Sequence, residues 1–286
     1  MIVKVALTIL LSQYVRSRVN DADTTSQCLW WHENTTIELH QSNDGNPENP
    51  ADAEFTAISK AITTWQTQLA ACSSLNLVDS TRTATRKVGY FEKDEVNENI
   101  TVFRLKKCSD VAPPSDACHG TADNCGNQFD CWQHQEAAIA ITTTSYNPTT
   151  GRILDSDIEY NVPSFLFTTV DSPPCLSGNT NLNCVATDIQ NTTTHELGHL
   201  LGLAHISNAT STMNPRANAG ETSKRVLDVG TADFACKVYP KGAPAKTCVL
   251  KPVSSTLGKA GPGCSSAPGL LGLFGVLALL RRGRRA

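Results

Sequence analysis

The sequence predicts an α+β domain stapled by disulfides, and three observations predict it. Apolar residues recur at three- and four-residue spacing between about residues 52 and 71, the signature of a helix with one buried face. Runs near 35–39, 100–105, 137–144 and 152–161, bounded by turn residues, read as strands, and a second helix near 189–201 follows them. Eleven cysteines, at 28, 72, 108, 118, 125, 131, 175, 184, 236, 248 and 264, include no C-x-x-C pair. That argues against a metal ribbon or a redox dithiol and for bridges formed in an oxidising compartment.

Composition bounds the class. The 286 residues suit one domain of ordinary size plus terminal segments. At 40% hydrophobic and 18% charged residues the chain is too apolar for disorder. A net charge of −3, with no basic stripe in the body, excludes nucleic acid as the expected partner. Ten cysteines precede residue 250 and Cys264 stands apart, which implies five bridges and one separately used thiol. Cys175–Cys184 and Cys236–Cys248 are near enough in sequence to pair, and the remaining connectivity is open.

Taken in order, residues 1–22 carry Lys4 and the apolar run Val5 to Leu11, a short export signal ending near Val19 to Ala22; a buried N-terminal strand is the competing reading. The 23–240 body begins with strand material at Leu29-Trp30-Trp31 and Thr35 to Leu39 and a loop at 43–47. In the helix Asp52 to Ala71 the periodic residues are Phe55, Ile58, Ile62, Trp65 and Leu69. Val88 to Phe91 and Ile100 to Leu105 are expected to be strands around a polar turn.

Residues 107–135 form a cysteine-rich insert whose Pro, Gly, Asn and Asp content leaves its ordering to disulfides; His119 and His134 in it read as surface residues rather than a second metal site. Ala137 to Thr144 is a strand, 146–151 a turn, and Arg152 to Asn161 a strand carrying Asp155, Asp157 and Glu159 on one face at period two. Three carboxylates so spaced offer oxygen ligands to a structural Ca2+, against the plainer reading of a solvated face or a network that pins loops.

A loop spans Cys175 to Cys184. Thr187, with Gln190 three residues on, fits a capping box for the next helix. Asn191-Thr192-Thr193 has the form of a glycosylation triplet but falls inside that helix. After a polar stretch, Arg216 to Lys224, a closing helix is expected over Thr231 to Val238, then a Pro/Gly/Ser/Lys linker over 241–263. The segment 264–286 is a cysteine, twelve apolar residues and four arginines. Twelve residues make only about 18 Å of helix, short of a hydrocarbon core of about 30 Å.

The chemistry is concentrated in His195-Glu196-Leu197-Gly198-His199-Leu200-Leu201-Gly202-Leu203-Ala204-His205, which holds three of the seven histidines. Four residues advance a helix by about 400°, so His195 and His199 lie one above the other and reach one ion. Glu196 projects beside that ion rather than onto it. His205 joins only if the helix stops and the chain returns, and Gly202 suits the turn. Three neutral nitrogens and an open position make a catalytic Zn2+ site rather than a closed structural one. By chance this H-E-x-x-H-x-x-G-x-x-H pattern arises in about one such chain in 10⁵. Ser211-Thr212-Met213-Asn214-Pro215 follows as a Met-turn, a thioether bed under the imidazoles.

On these residues the chain resembles the metzincin zinc endopeptidases, and within them the matrixin-like bacterial branch, over about Cys28 to Pro240. The resemblance implies a twisted mixed sheet packed on a backing helix and an active-site helix. It implies Zn2+ on His195, His199 and His205, Glu196 as catalytic base, Gly202 as turn glycine and Met213 as Met-turn support. Residues 216–224 would wall the pocket for the substrate side chain just after the cut. Ile206 and Asn214 stand where animal matrixins have Ser or Thr and Tyr, and Pro215 leaves no zinc-binding tyrosine. The tail resembles the MYXO-CTERM-type bacterial sorting segment. The expected protein is a monomeric, exported endopeptidase at the surface or outside of a bacterium, acting on protein or peptide substrates and associated with membrane through its tail. An inactive surface binding module and a cell-wall amidase are the rivals. The intact Glu196 speaks against the first, and a protein substrate tested against peptidoglycan separates the second.

Overall fold

The computed structural model describes residues 14–92, 97–120, 125–176 and 181–248. The expected export-signal core, most of the linker and the Cys264–Ala286 tail lie outside them. Among the described residues no helix is long and apolar enough to cross a membrane.

In chain order the elements are β1 (Val15–Arg16), β2 (Thr36–Gln41), α1 (Ala53–Cys72), β3 (Asn76–Asp79), β4 (Asn99–Arg104), α2 (Ala117–Gly120), β5 (Ala140–Tyr146), β6 (Ile153–Asn161), β7 (Phe167–Thr168), β8 (Thr187–Asp188), α3 (Ile189–Leu200), β9 (Leu203–Ala204) and α4 (Val229–Val238). The stripe predicted for α1 is the stripe it buries: Phe55, Ile58, Ile62, Trp65 and Leu69 all face the core. Burying an aliphatic side chain of this size is worth about 1.5–3 kcal/mol, so the stripe, not helix propensity, holds α1 in place.

The main sheet is five-stranded and mixed, in the order β3-β2-β4-β6-β5. β2, β3, β4 and β6 run parallel, and β5 pairs antiparallel with β6, from Ala140↔Tyr160 to Tyr146↔Ile153. β5 is therefore an edge strand, with one side unpaired among the described residues. The sheet packs on α1, and α1 packs on α3: Trp65 Nε1 donates to Thr194 O at 2.9 Å, and Tyr160 Oη and Thr193 Oγ1 are 2.8 Å apart. The α+β fold with its mixed sheet, backing helix and second helix is as the sequence predicts.

Several expectations are corrected. Val88 to Phe91 is not a strand. It is irregular chain pinned by Asp157, which accepts from Gly89 N at 2.6 Å, and by Asn127, whose Nδ2 donates to Val88 O at 3.0 Å, while the Val88 side chain is buried. β3 went unpredicted because it is four residues long with only Leu77 and Val78 apolar. Leu29 to Trp31 makes an isolated bridge rather than a ladder, Trp30↔Arg152. The cap of α3 is Asp188, not Thr187: Asp188 Oδ1 accepts from Asn191 N at 2.7 Å, and Arg225 grips the same carboxylate at 2.8 and 2.6 Å.

Five disulfides use the ten cysteines that precede residue 250. Cys175–Cys184 pairs as expected. Cys236–Cys248 does not form. Cys236 on α4 bonds Cys72 at the end of α1, and Cys248 bonds Cys28, 220 residues away. Helix packing brings Cys72 and Cys236 together, which chain proximity could not reveal. Cys108–Cys131 and Cys118–Cys125 fill a small separate core in the 107–135 insert, so sulfur does order that segment.

Residues 14–19, inside the stretch read as leader, lie on the domain. β1 pairs with β9, Arg16 Nη2 donates to Leu29 O at 2.9 Å, and Tyr14 meets Phe234 edge-on. The acidic stripe of β6 points inward. Asp157 also accepts from Ile100 N at 2.9 Å, and Glu159 accepts from Arg104 Nε at 2.5 Å and contacts His134 Nε2 at 2.7 Å. Burial, with Asp155 beside it, pushes the Asp157 carboxyl up. These carboxylates pin loops to the sheet. The described residues gather groups of three or more potential metal ligands at the histidine triad and the four insert cysteines, not on β6.

Candidate active site

α3 presents its histidines where the sequence predicts. His195 and His199 project from one face, Gly202 turns the chain at φ +102°, and β9 brings His205 back. A Cβ at Gly202 would stand 2.9 Å from Leu29 O, so close backbone approach and positive φ both demand glycine. The three Nε2 atoms converge: 3.2 Å from His195 to both His205 and His199, and 3.1 Å from His199 to His205.

Two of the rings have their tautomer set. His195 Nδ1 lies 2.6 Å from Thr212 O and His199 Nδ1 2.8 Å from Leu203 O. A carbonyl only accepts, so each Nδ1 carries the proton and each Nε2 is left as a bare lone pair. Burial, aided by the neighbouring His199, holds His195 well below the ordinary histidine range; burial also lowers His199 and takes His205 to about 4. Three neutral imidazoles aiming lone pairs at one point repel each other unless a cation lies between them. Their mutual spacing matches that of nitrogens bound at about 2.0–2.1 Å around a tetrahedral ion, so the donor set fits Zn2+.

Glu196 is buried beside this triad without joining it. Burial pushes its carboxyl up to about 7, against a hydrogen bond from Thr142 that favours the charged form. Thr142 Oγ1, on the edge strand β5, is 2.7 Å from Glu196 Oε2. Under the triad, Met213 is buried against Gly198, where an added Cβ would overlap its Sδ and stand 3.0 Å from its Cε. The Met-turn is tied down by Asp228, which accepts from Thr212 N at 2.8 Å and Ser211 Oγ at 3.0 Å and also caps α4.

Open space flanks Glu196 on both sides. A cavity of about 400 Å³ is bounded by β5 with the residues before it, by Asn191 and Thr192 of α3, and by Asn214 to Asn218 and Lys224. A second, of about 370 Å³, lies between β5 and the N-terminal segment Ser17–Val19 and Asp21. Glu196 and His205 line both. Together they form a cleft running along the unpaired edge of β5.

The structure brings His195, His199 and His205 together, sets Glu196 beside them, and places Gly202 at the turn and Met213 beneath. Lys224, at the end of the stretch expected to wall a pocket, does line one, whereas Thr142, Asp228 and the Asp188–Arg225 clamp were not expected from the sequence. Asp188 and Asp228 each carry a local signal, as an Asx residue just before a helix. Asn191 is buried, with its Oδ1 accepting from Lys224 N at 2.8 Å, so the triplet it begins is structural. His119 contacts Ala112 O and His134 contacts Glu159, and neither joins a metal-ligand group. A family model described as Matrixin matches residues 29–236. The chain has no match among curated proteins.

Proposed function

The chain belongs to the matrixin family, and from that premise we propose that it is a zinc-dependent endopeptidase of extracellular proteins. The observation that carries this reading is the convergence of three unprotonated Nε2 atoms beside a buried carboxyl, along an unpaired strand edge. His195, His199 and His205 would hold the ion. When bound, zinc supplies a Lewis acid that eases deprotonation of water and polarises a carbonyl.

The remaining work falls to the chain's own groups. The free edge of β5 takes an extended peptide by strand addition and sets its scissile bond beside Glu196. Glu196 accepts the proton of the attacking water and returns it to the leaving nitrogen, so that amine rather than amide anion departs. Burial raises this carboxyl, which favours its holding the proton between the two transfers. Met213, Gly198 and Asp228 keep the imidazoles in register from below. Five disulfides suit an exported protein, which the C-terminal segment 264–286 would sort at the membrane.

The test is hydrolysis of unfolded casein by the purified, zinc-loaded protein, stopped by a chelator and restored by zinc. Fragment release from peptidoglycan but not casein would replace this reading with an amidase. Stoichiometric zinc with hydrolysis of neither would leave only a binding module.

A further inference from the structure

We infer that the pocket walled by residues 214–224 selects an acidic substrate side chain just after the cut, through Lys224 and Arg216; this rests on the endopeptidase reading above. The pocket is polar where it meets that stretch: Asn191, Asn214, Arg216, Asn218 and Lys224 line it, opposite the apolar residues 137–141 of the edge-strand wall.

Lys224 is an unusual lining residue because it is buried, at 4% exposure. Its position is built. Its backbone N donates to Asn191 Oδ1 at 2.8 Å, and its Nζ donates to Arg216 O at 2.5 Å and lies 3.2 Å from Glu221 Oε1. An ammonium has three N–H donors, and these contacts use two. The third has no partner among the described residues. Glu221 does not line this pocket but a neighbouring one. Arg216 is exposed at the rim, and its guanidinium makes no hydrogen bond or ion pair among the described residues.

Apart from Glu196, then, no carboxylate lines the pocket, and its two cations are Arg216 at the rim and Lys224, whose charge is shared with Glu221. A leucine-like side chain entering it would offer no acceptor to the spare Lys224 N–H and would strip water from Arg216 without replacing it, which is costly. A carboxylate supplies the missing acceptor and meets Arg216 at the mouth, as a charge-assisted hydrogen bond in a low-dielectric site. A glutamine of the same shape offers the acceptor without the charge, so the pair isolates the electrostatic part.

The experiment uses the zinc-loaded full chain and a proteome-derived peptide library, with cut sites read by mass spectrometry. It is followed by two fluorogenic peptides differing only in Glu or Gln after the cut. Asp and Glu should be enriched at that position, and kcat/KM should favour the Glu peptide about tenfold. The preference should vanish in Lys224→Met and shrink severalfold in Arg216→Gln, an exposed position that keeps the test available should Lys224→Met fail to fold. Cleavage before Leu or Phe, or a Glu/Gln ratio near one in the wild type, overturns the inference while leaving an endopeptidase. Hydrolysis of no peptide at all overturns both.

Discussion

Thr142 reaches from the edge strand to the buried Glu196 carboxyl: its Oγ1 lies 2.7 Å from Glu196 Oε2 and 3.1 Å from Glu196 O. One hydroxyl proton serves one acceptor at a time, and the shorter contact goes to the carboxylate. The strand that would bind substrate is thus the strand that orients the base. Replacing Thr142 with the isosteric valine should lower kcat about tenfold, the usual scale for a misplaced general base, with KM and bound zinc nearly unchanged. Thr142→Ser should recover most of the loss. A Thr142→Val enzyme with wild-type kcat would show that the contact does not position Glu196.

Separating base from ligand is a matter of metal analysis. Glu196→Ala should lose hydrolysis by at least about a hundredfold yet retain one zinc per chain, because its carboxyl lies beside the imidazoles and not among them. His199→Ala should lose metal and activity together. Near-wild-type turnover in Glu196→Ala would sink the mechanism.

Gly198 and Met213 form a steric lock between α3 and the Met-turn. Gly198→Ala drives a methyl into the thioether, so it should cost about 1–3 kcal/mol by overpacking, read as a fall in Tm. Adding Met213→Ala to that variant should return part of the loss, although each change destabilises alone. Strict additivity in the double-mutant cycle would mean that the two residues do not press on each other.

Acid stability should depend on Glu159. Burial alone would raise its carboxyl, but the hydrogen bond from His134 and the charges of Arg104 and His134 outweigh that and hold it below the ordinary range. Its folded pKa is therefore below its unfolded one. The stability it contributes is present above the unfolded value of about 4.3 and drains away as pH falls through the folded value. Glu159→Gln should flatten that acid limb in denaturant titrations. It should also cost about 3–5 kcal/mol at neutral pH, where Arg104 would keep only Asp130. An unchanged acid limb in the variant would assign the loss to other carboxylates.

Cys28 is bonded to Cys248, so its sulfur is not free to cap a metal. Mercurial treatment should therefore bring no activation. The Cys28→Ser, Cys248→Ser pair should lower stability by about 2–5 kcal/mol, as expected for the loss of a bridge closing so long a loop, without raising activity. A rise in activity on losing the bridge would point to a latency device at this end of the domain.

The parts legible in the sequence are those whose causes are local. A 3.6-residue period marked α1 because one face of a helix must be buried, and the buried residues are the periodic ones. The histidine spacing named the triad because four residues return a helix to the same face, and Gly202 sits at positive φ as its turn requires. A cysteine count without C-x-x-C pairs implied five bridges, and five form. Each of these depends on residues within one helix or one short motif, or on a tally.

Tertiary structure alone decided what depends on distant segments meeting. Cys236 finds Cys72 rather than Cys248 because α1 and α4 pack together, although Cys248 is far nearer in sequence. Val88 is held by burial and by Asp157, not by a ladder, which no period could reveal. Thr142 meets Glu196 across 54 positions, and Asp228 meets Thr212 across a turn. Such partners carry no local pattern, because a hydroxyl or carboxylate on a surface and one that orients a base look alike until the chain closes around them. The histidine motif was therefore written in the sequence, while the contact that aligns the proposed base and the pairing of the sulfurs had to wait for the fold.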